Sequence, residues 1–387
     1  VLSLFDTTNL IVGIIVGAGI FVAAPSVAGG AGSGMGVLAL WALGGLLSFC
    51  GAVGYAELAT TYPEEGGDYV YLTKAYGRWA GFIFGWLQTL VVRPGDIAVM
   101  AFVFATYAES LIGPRWFGKP GLAAAAVAVL TAVNVAGVRS GVRTQNVLTV
   151  AKVVGVSLVI AVAAFAPGAE TASVEAPPPQ ASLPLAIALV LVLFSFGGWN
   201  ETAFVAAEVR DPKRNIIRAM VVGMSVVTVI YLAVNASFLH VLGFEGLASS
   251  DAVAAETVAS VFPEAAASLV SALICLCALG AVNGLVFAGA RIAYALGRDH
   301  HLFAALGTWS ERTGTPARAL MVQGSLAVAL ILALGSFIDT IMYTAAAVYL
   351  FYLATSLAVI VLRFKDRSTP RAYRATGYPV STVVFCL

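Results

Sequence analysis

Charge is scarce in this sequence. Asp, Glu, Lys and Arg make up 11% of its 387 residues and hydrophobic residues 60%, with a mean hydropathy of +0.93. A soluble globular domain carries about 25% charged residues, so the chain is read as embedded in a bilayer. The net charge of +1 points to neither a nucleic-acid binder nor a polybasic lipid binder. Cysteine is equally thin. Cys50, Cys275, Cys277 and Cys386 all lie in apolar segments, so neither a disulfide framework nor a zinc site is expected. Each reads as a small apolar filler. HExxH, Walker A and GxSxG motifs are absent from the sequence. His240, His300 and His301 fall at a span end or in a loop, a poor setting for a buried metal site. No cofactor, metal or enzymatic activity is expected. A signal-peptide pattern is missing too. The chain begins at Val1 without Met and stops at Leu387 inside a new apolar run, as expected of a fragment lacking its last spans.

What is abundant is the long apolar run. A helix needs about 20 apolar residues to cross a bilayer. Ten segments qualify, at 5–30, 36–62, 79–111, 121–138, 145–166, 182–208, 217–242, 264–297, 317–337 and 338–363, and an eleventh begins near 378. The runs are continuous rather than alternating, which excludes a barrel. With the N-terminus placed in the cytoplasm, 17 of the 21 Lys and Arg, from Lys74 to Arg374, fall in cytoplasmic loops and span ends. Only Arg115 and Lys119 lie outside, and Arg93 and Lys152 sit within spans. That asymmetry fixes the expected orientation.

Ten spans divide into five and five. Residues 1–166 form a first repeat and 182–363 a second, joined by a Pro-rich outer linker at 167–181; 364–387 is a cytoplasmic loop and the start of the eleventh span. An odd span count inverts the second half. The first span of each half is interrupted, at Gly17-Ala18-Gly19 and at Gly197-Gly198-Trp199-Asn200, 180 residues apart. Paired interruptions of this kind point to a binding site between two inverted repeats.

Backbone that leaves a helix in hydrocarbon exposes N–H and C=O groups at several kcal/mol each, so it survives beside a cavity or a ligand. A half-helix starting near Ile20 would aim free amides and partial positive charge at the gap, as a carboxylate requires. Gly17, Ala18 and Gly19 let a ligand approach the backbone; tight helix packing through small residues is the alternative. At the second break, Phe194-Ser195-Phe196-Gly197-Gly198 ends a half-helix, and its free carbonyls suit an ammonium group. A carboxylate site facing an ammonium site describes a receptor for a free α-amino acid. Phe194 is a candidate gate, or else a lipid-facing side chain.

Lys152 lies about seven residues into the fifth span. Buried, it must find acceptors and would stand where a coupling sodium might otherwise sit; the alternative is snorkelling. Arg93 and Asp96 stand three residues apart and are placed to pair; otherwise Asp96 lines the pocket and bears on selectivity or proton coupling. Asn283 is a second selectivity candidate, or a helix–helix hydrogen-bonding residue. Glu57 is placed to pair with a loop Arg.

These motifs resemble the amino acid–polyamine–organocation superfamily, and within it the L-type amino acid transporter branch. The matching stretches are VGAGIFVAAP (16–25), YAELATTYPEEGGDYVYL (55–72), VVRPGD (91–96), RTQNVLTVAK (143–152), LFSFGGWNETAFVAAEVRDPKRN (193–215) and GAVNGLVFAGARIAYALGRDHHL (280–302). The resemblance implies an all-α membrane protein with a LeuT-type 5+5 inverted repeat, broken first and sixth spans, and twelve spans in full. It implies that the Ala18 and Gly19 amides hold a substrate carboxylate, with Gly17, Ile20 and Phe196 also among the substrate-binding residues. The carbonyls of Ile15, Phe194, Ser195 and Gly197 would hold the amino group. Phe194 would be the outer gate, Asn200 would lie near the substrate, and Lys152 would confer sodium independence. Ala18 stands where relatives often have Ser, and Asp96 where they often have a small or neutral residue. Eukaryotic members carry a Cys in the outer loop after span three for a disulfide-linked partner; GPRWFGKP (113–120) has none, so no such accessory subunit is expected. The function implied is secondary transport of neutral L-amino acids by alternating access in the plasma or inner membrane. A non-transporting sensor and a proton-coupled symporter are the alternatives.

Overall fold

A spanning chain must close its backbone hydrogen bonds internally, and continuous apolar runs do so as helices. A computed structural model describes residues 1–113, 118–168, 183–335 and 337–386, with 337–349 given by backbone alone. Sixteen α-helices run through the described residues: α1 (Leu4–Ile15), α2 (Gly19–Ala31), α3 (Gly34–Thr61), α4 (Asp68–Tyr76), α5 (Arg78–Leu87), α6 (Arg93–Ile112), α7 (Gly118–Ala136), α8 (Val138–Phe165), α9 (Leu185–Ser195), α10 (Glu201–Phe204), α11 (Pro212–Ser249), α12 (Val253–Ala259), α13 (Ala266–Asp299), α14 (Ala317–Leu334), α15 (Phe337–Lys365) and α16 (Val380–Cys386). Among the described residues seven spans are long and apolar enough to cross a membrane unaided, with α5 and α6 counted as one; α1 and α2 make an eighth, bent by 50°. The apolar α9 has only 11 residues, too short to cross alone. This is an integral membrane protein.

Local chemistry moves several boundaries. Residues Gln88–Val92 form a π-helical turn just before Arg93-Pro94. Proline removes a backbone donor, and the widened turn absorbs the mismatch. The fifth span begins at Val138, not near 145, because Gly137 turns the chain in one residue at φ 155°. Arg139 and Arg143 therefore belong to the first turns of α8 rather than to a loop. Lys152 lies midway along the 28-residue α8. Residues 169–182, most of the expected linker, and 114–117 of the outer loop lie outside the described residues.

The halves of the two broken spans pack like with like, α2 on α9 and α1 on α10. The buried apolar side chains form two main bodies. One joins α1–α5 with α9–α12, the end of α15 and part of α13; the other joins α6, α7 and α14 with the rest of α13. α8 touches α1, α11 and α13, and so contacts both.

One end of the molecule is tightly tied. The Leu2 amide donates to Glu208 O (2.7 Å) and the Arg210 amide to Leu2 O (2.8 Å). Arg291 on α13, wholly buried, donates to both Glu208 carboxylate oxygens at 2.7 and 3.1 Å. Glu57 finds the loop arginine expected of it: Arg371 donates to it at 3.0 Å, Arg363 at the end of α15 clasps it as well, and the Ala375 amide adds a third donor at 2.7 Å.

Candidate substrate site at two helix breaks

The first break has a donor side and an acceptor side. α2 begins at Gly19 with no side-chain cap from Ala18. The amides of Phe21 and Val22 turn back to Ala18 O, at 3.0 and 3.1 Å. Those of Ala18, Gly19 and Ile20 have no acceptor among the described residues. Three free amides at a helix N-terminus, with the axial dipole behind them, are chemically an anion site.

On the acceptor side stands Lys152. Its Nζ donates to Gly13 O (2.6 Å), Val16 O (3.1 Å) and Cys277 O (3.2 Å). The side chain is 0% exposed, so snorkelling is ruled out. Three carbonyls from two helices around one positive charge is the arrangement a small cation would otherwise receive. Gly280 makes the room: a Cβ there would lie 2.6 Å from Nζ.

The second break lies against the first. A Cβ on Gly19 would meet Ser195 Oγ at 3.4 Å, and one on Gly198 would meet Ile14 at 2.6 Å. Gly198 also turns at φ 110°, a conformation other residues resist. Phe196 is buried against Trp41 and Tyr231. Asn200 is 2% exposed and, among the described residues, neither its Oδ1 nor the neighbouring Thr202 hydroxyl has a hydrogen-bond partner. Buried polar atoms without partners ask for a ligand or water.

Phe194 departs from expectation. Its carbonyl is not free: the Gly197 amide donates to it at 3.0 Å, closing a tight turn. Its side chain is 56% exposed. The carbonyls of Ile15 and Ser195 do face one another, but they share a residue sequence reasoning missed. Tyr231 Oη on α11 approaches Ile15 O at 2.7 Å and Ser195 O at 2.9 Å. One hydroxyl proton serves one carbonyl at a time, so this pair retains capacity for the protons of an ammonium group. The signal for Tyr231 was the one aromatic residue, with a phenol hydroxyl, inside MSVVTVIYLAV.

Two other candidates are corrected. Arg93 does not pair with Asp96. It donates to Glu201, the first residue of α10, at 2.7 Å, and to Gln88 at 3.1 Å, with Phe204 under its guanidinium. Asp96 is left half-buried with no hydrogen bond or ion pair among the described residues. Asn283 is spent on helix contacts: it accepts from Asn134 (2.9 Å) and donates to Gln145 (2.8 Å) and Gly141 O (3.2 Å). A network occupied on both its O and N sides has nothing left for selectivity.

Comparison with known proteins agrees in kind. The profile of the amino acid permease family matches residues 2–387. The chain is 33% identical over 382 residues to the b(0,+)-type amino acid transporter 1 of Homo sapiens, covering 96% of this chain and 77% of that protein. It is 33% identical over 398 residues to the large neutral amino acids transporter small subunit 2 of Oryctolagus cuniculus, covering 99% and 74%. These are membrane transporters, not enzymes.

Proposed function

This chain belongs to the amino acid permease family and transports amino acids, and from that premise we propose that it carries neutral L-amino acids by alternating access, without sodium. The carboxylate binds the free amides of Ala18, Gly19 and Ile20; the amino group binds the Ile15 and Ser195 carbonyls, with Gly17 and Gly197 giving the backbone access and Asn200 at its side. Residues 1–166 and 182–363 act as two inverted five-span halves, in a cell membrane with the N-terminus cytoplasmic. No disulfide-linked accessory subunit is needed. Names of relatives support the cargo class: one is a transporter of large neutral amino acids.

The observation that carries sodium independence is Lys152 held by Gly13, Val16 and Cys277 carbonyls. A fixed ammonium fills the place and the charge of a bound cation. Counterflow of labelled alanine, serine and leucine into proteoliposomes tests this in sodium and in choline buffer. Equal rates are expected in both. Strong sodium stimulation would refute the Lys152 role, and absence of saturable counterflow for every amino acid would refute neutral amino acid transport.

A further inference from the structure

Asp68 opens α4, in the connection between the second and third spans, and takes no part in the site above. It is 1% exposed. Tyr55 Oη donates to its Oδ2 at 3.1 Å, while Oδ1 has no hydrogen-bond partner among the described residues. The Thr355 hydroxyl lies beside Asp68 and Tyr55 without a well-formed bond to either. The first amides of α4 do not help, because those of Tyr69, Val70 and Tyr71 go to the Gly66 and Gly67 carbonyls. A carboxylate this dry, with one neutral donor, is unfavourable as an anion. Burial pushes the carboxyl up to about 8; Glu201 adds to that, while Tyr55, Arg93 and Thr355 oppose it.

The groups facing Asp68 come from several elements. α3 supplies Tyr55, α4 itself Tyr71 with Glu64 behind it, α6 Arg93, α10 Glu201, and α15 Tyr352 and Thr355. α13 and α5 meet α4 on another face, where Asp299 accepts from Tyr69 and Arg78 stands near. The single guanidinium close by, Arg93, is already bound to Glu201.

Asp68 is also wired to the second break. The Gly66 amide donates to Phe204 O at the end of α10 (3.3 Å), and a Cβ on Gly67 would lie 2.9 Å from the Ala203 carbonyl carbon. Tyr55, its one donor, stacks edge-on against Trp199 within the break, centroids 4.8 Å apart. We propose that Asp68 is a proton-binding site of the transport cycle: its neutral carboxyl lets α10 seat on the Gly66–Gly67 turn, and α10 leaves as the proton goes to water. Ionisation breaks the carboxyl O–H bond, passes the proton to the aqueous loop at 62–67, and leaves an anion beside Glu201 that repels the start of α10. The proton acts from the side bearing the arginines, and in this the inference rests on the orientation and transport proposed above.

The test is alanine exchange by the full chain in proteoliposomes, with that side's pH stepped from about 6 to about 9. Wild type should speed up several-fold through the transition. Asp68→Asn, permanently neutral, should hold a flat profile at the low-pH rate. Tyr55→Phe removes a donor to the anion, so its midpoint should move upward. An unchanged pH profile in Asp68→Asn overturns the proposal. Should that variant misfold, infrared titration of the wild type and of Tyr55→Phe replaces it: a protonated-carboxyl band lost near neutral pH, with its midpoint higher in Tyr55→Phe, is expected, and no shift overturns the assignment. If no amino acid is exchanged at all, the transport proposal fails, while the infrared titration still judges Asp68.

Discussion

The two breaks solve one problem in opposite ways. Each ends a helix inside hydrocarbon and must satisfy the carbonyls it frees. The first does so from outside, with the Lys152 ammonium reaching across from α8 to Gly13 and Val16 while it also holds Cys277. The second does so from within, folding the Gly197 amide back onto Phe194 O, and anchors its inner half through Glu201 to Arg93. The first break therefore depends on a charge and keeps its amides bare, whereas the second depends on glycine geometry and a buried ion pair. An anionic group suits only the first. The Tyr231 hydroxyl, shared between Ile15 and Ser195, joins them.

The contrast can be broken first at the ion pair. Glu201→Ala leaves the Arg93 guanidinium buried and unpaired, 3% exposed in the parent. Such a loss costs about 3–5 kcal/mol, so the thermal midpoint in detergent should fall sharply, and a midpoint equal to wild type would show the pair idle.

Lys152→Ala strikes the first break instead. It strips three buried carbonyls of their donor, each worth about 1–3 kcal/mol when left bare. Exchange should drop by roughly 100-fold, equivalent to about 2.8 kcal/mol, with substrate binding less affected. Unchanged flux would remove Lys152 from the cycle.

Tyr231→Phe is the mildest cut. It deletes one hydrogen bond worth about 0.5–1.5 kcal/mol, and affinity for alanine should weaken by up to roughly tenfold. Binding unaltered in this variant would mean the two carbonyls do not meet the amino group.

Much of this was legible in the sequence because hydrocarbon permits so few solutions. Uninterrupted apolar runs had to be helices, and Gly17-Ala18-Gly19 and Gly197-Gly198 had to be exceptions with a purpose. What stayed hidden depends on which helices meet. Arg93 has a local partner in Asp96 by spacing, yet the fold gives it Glu201, 108 residues away. A buried acid directly after a break was itself a signal, since an intramembrane acid needs a cation. The start of α8 was misplaced because Arg139 and Arg143 looked like loop residues, although one glycine suffices for the turn before them. The Phe194 carbonyl is already met by the Gly197 amide, a tight turn that spacing alone did not reveal and that takes one of its two lone pairs.

The claim at the centre is that the two breaks read the two ends of a free amino acid. Competition against labelled alanine tests it with two analogues, alaninamide, which lacks the carboxylate, and propionate, which lacks the amine. Unlabelled alanine should displace the label while both analogues fail at concentrations far above its own. Alaninamide competing as well as alanine would contradict the carboxylate site at Ala18, Gly19 and Ile20.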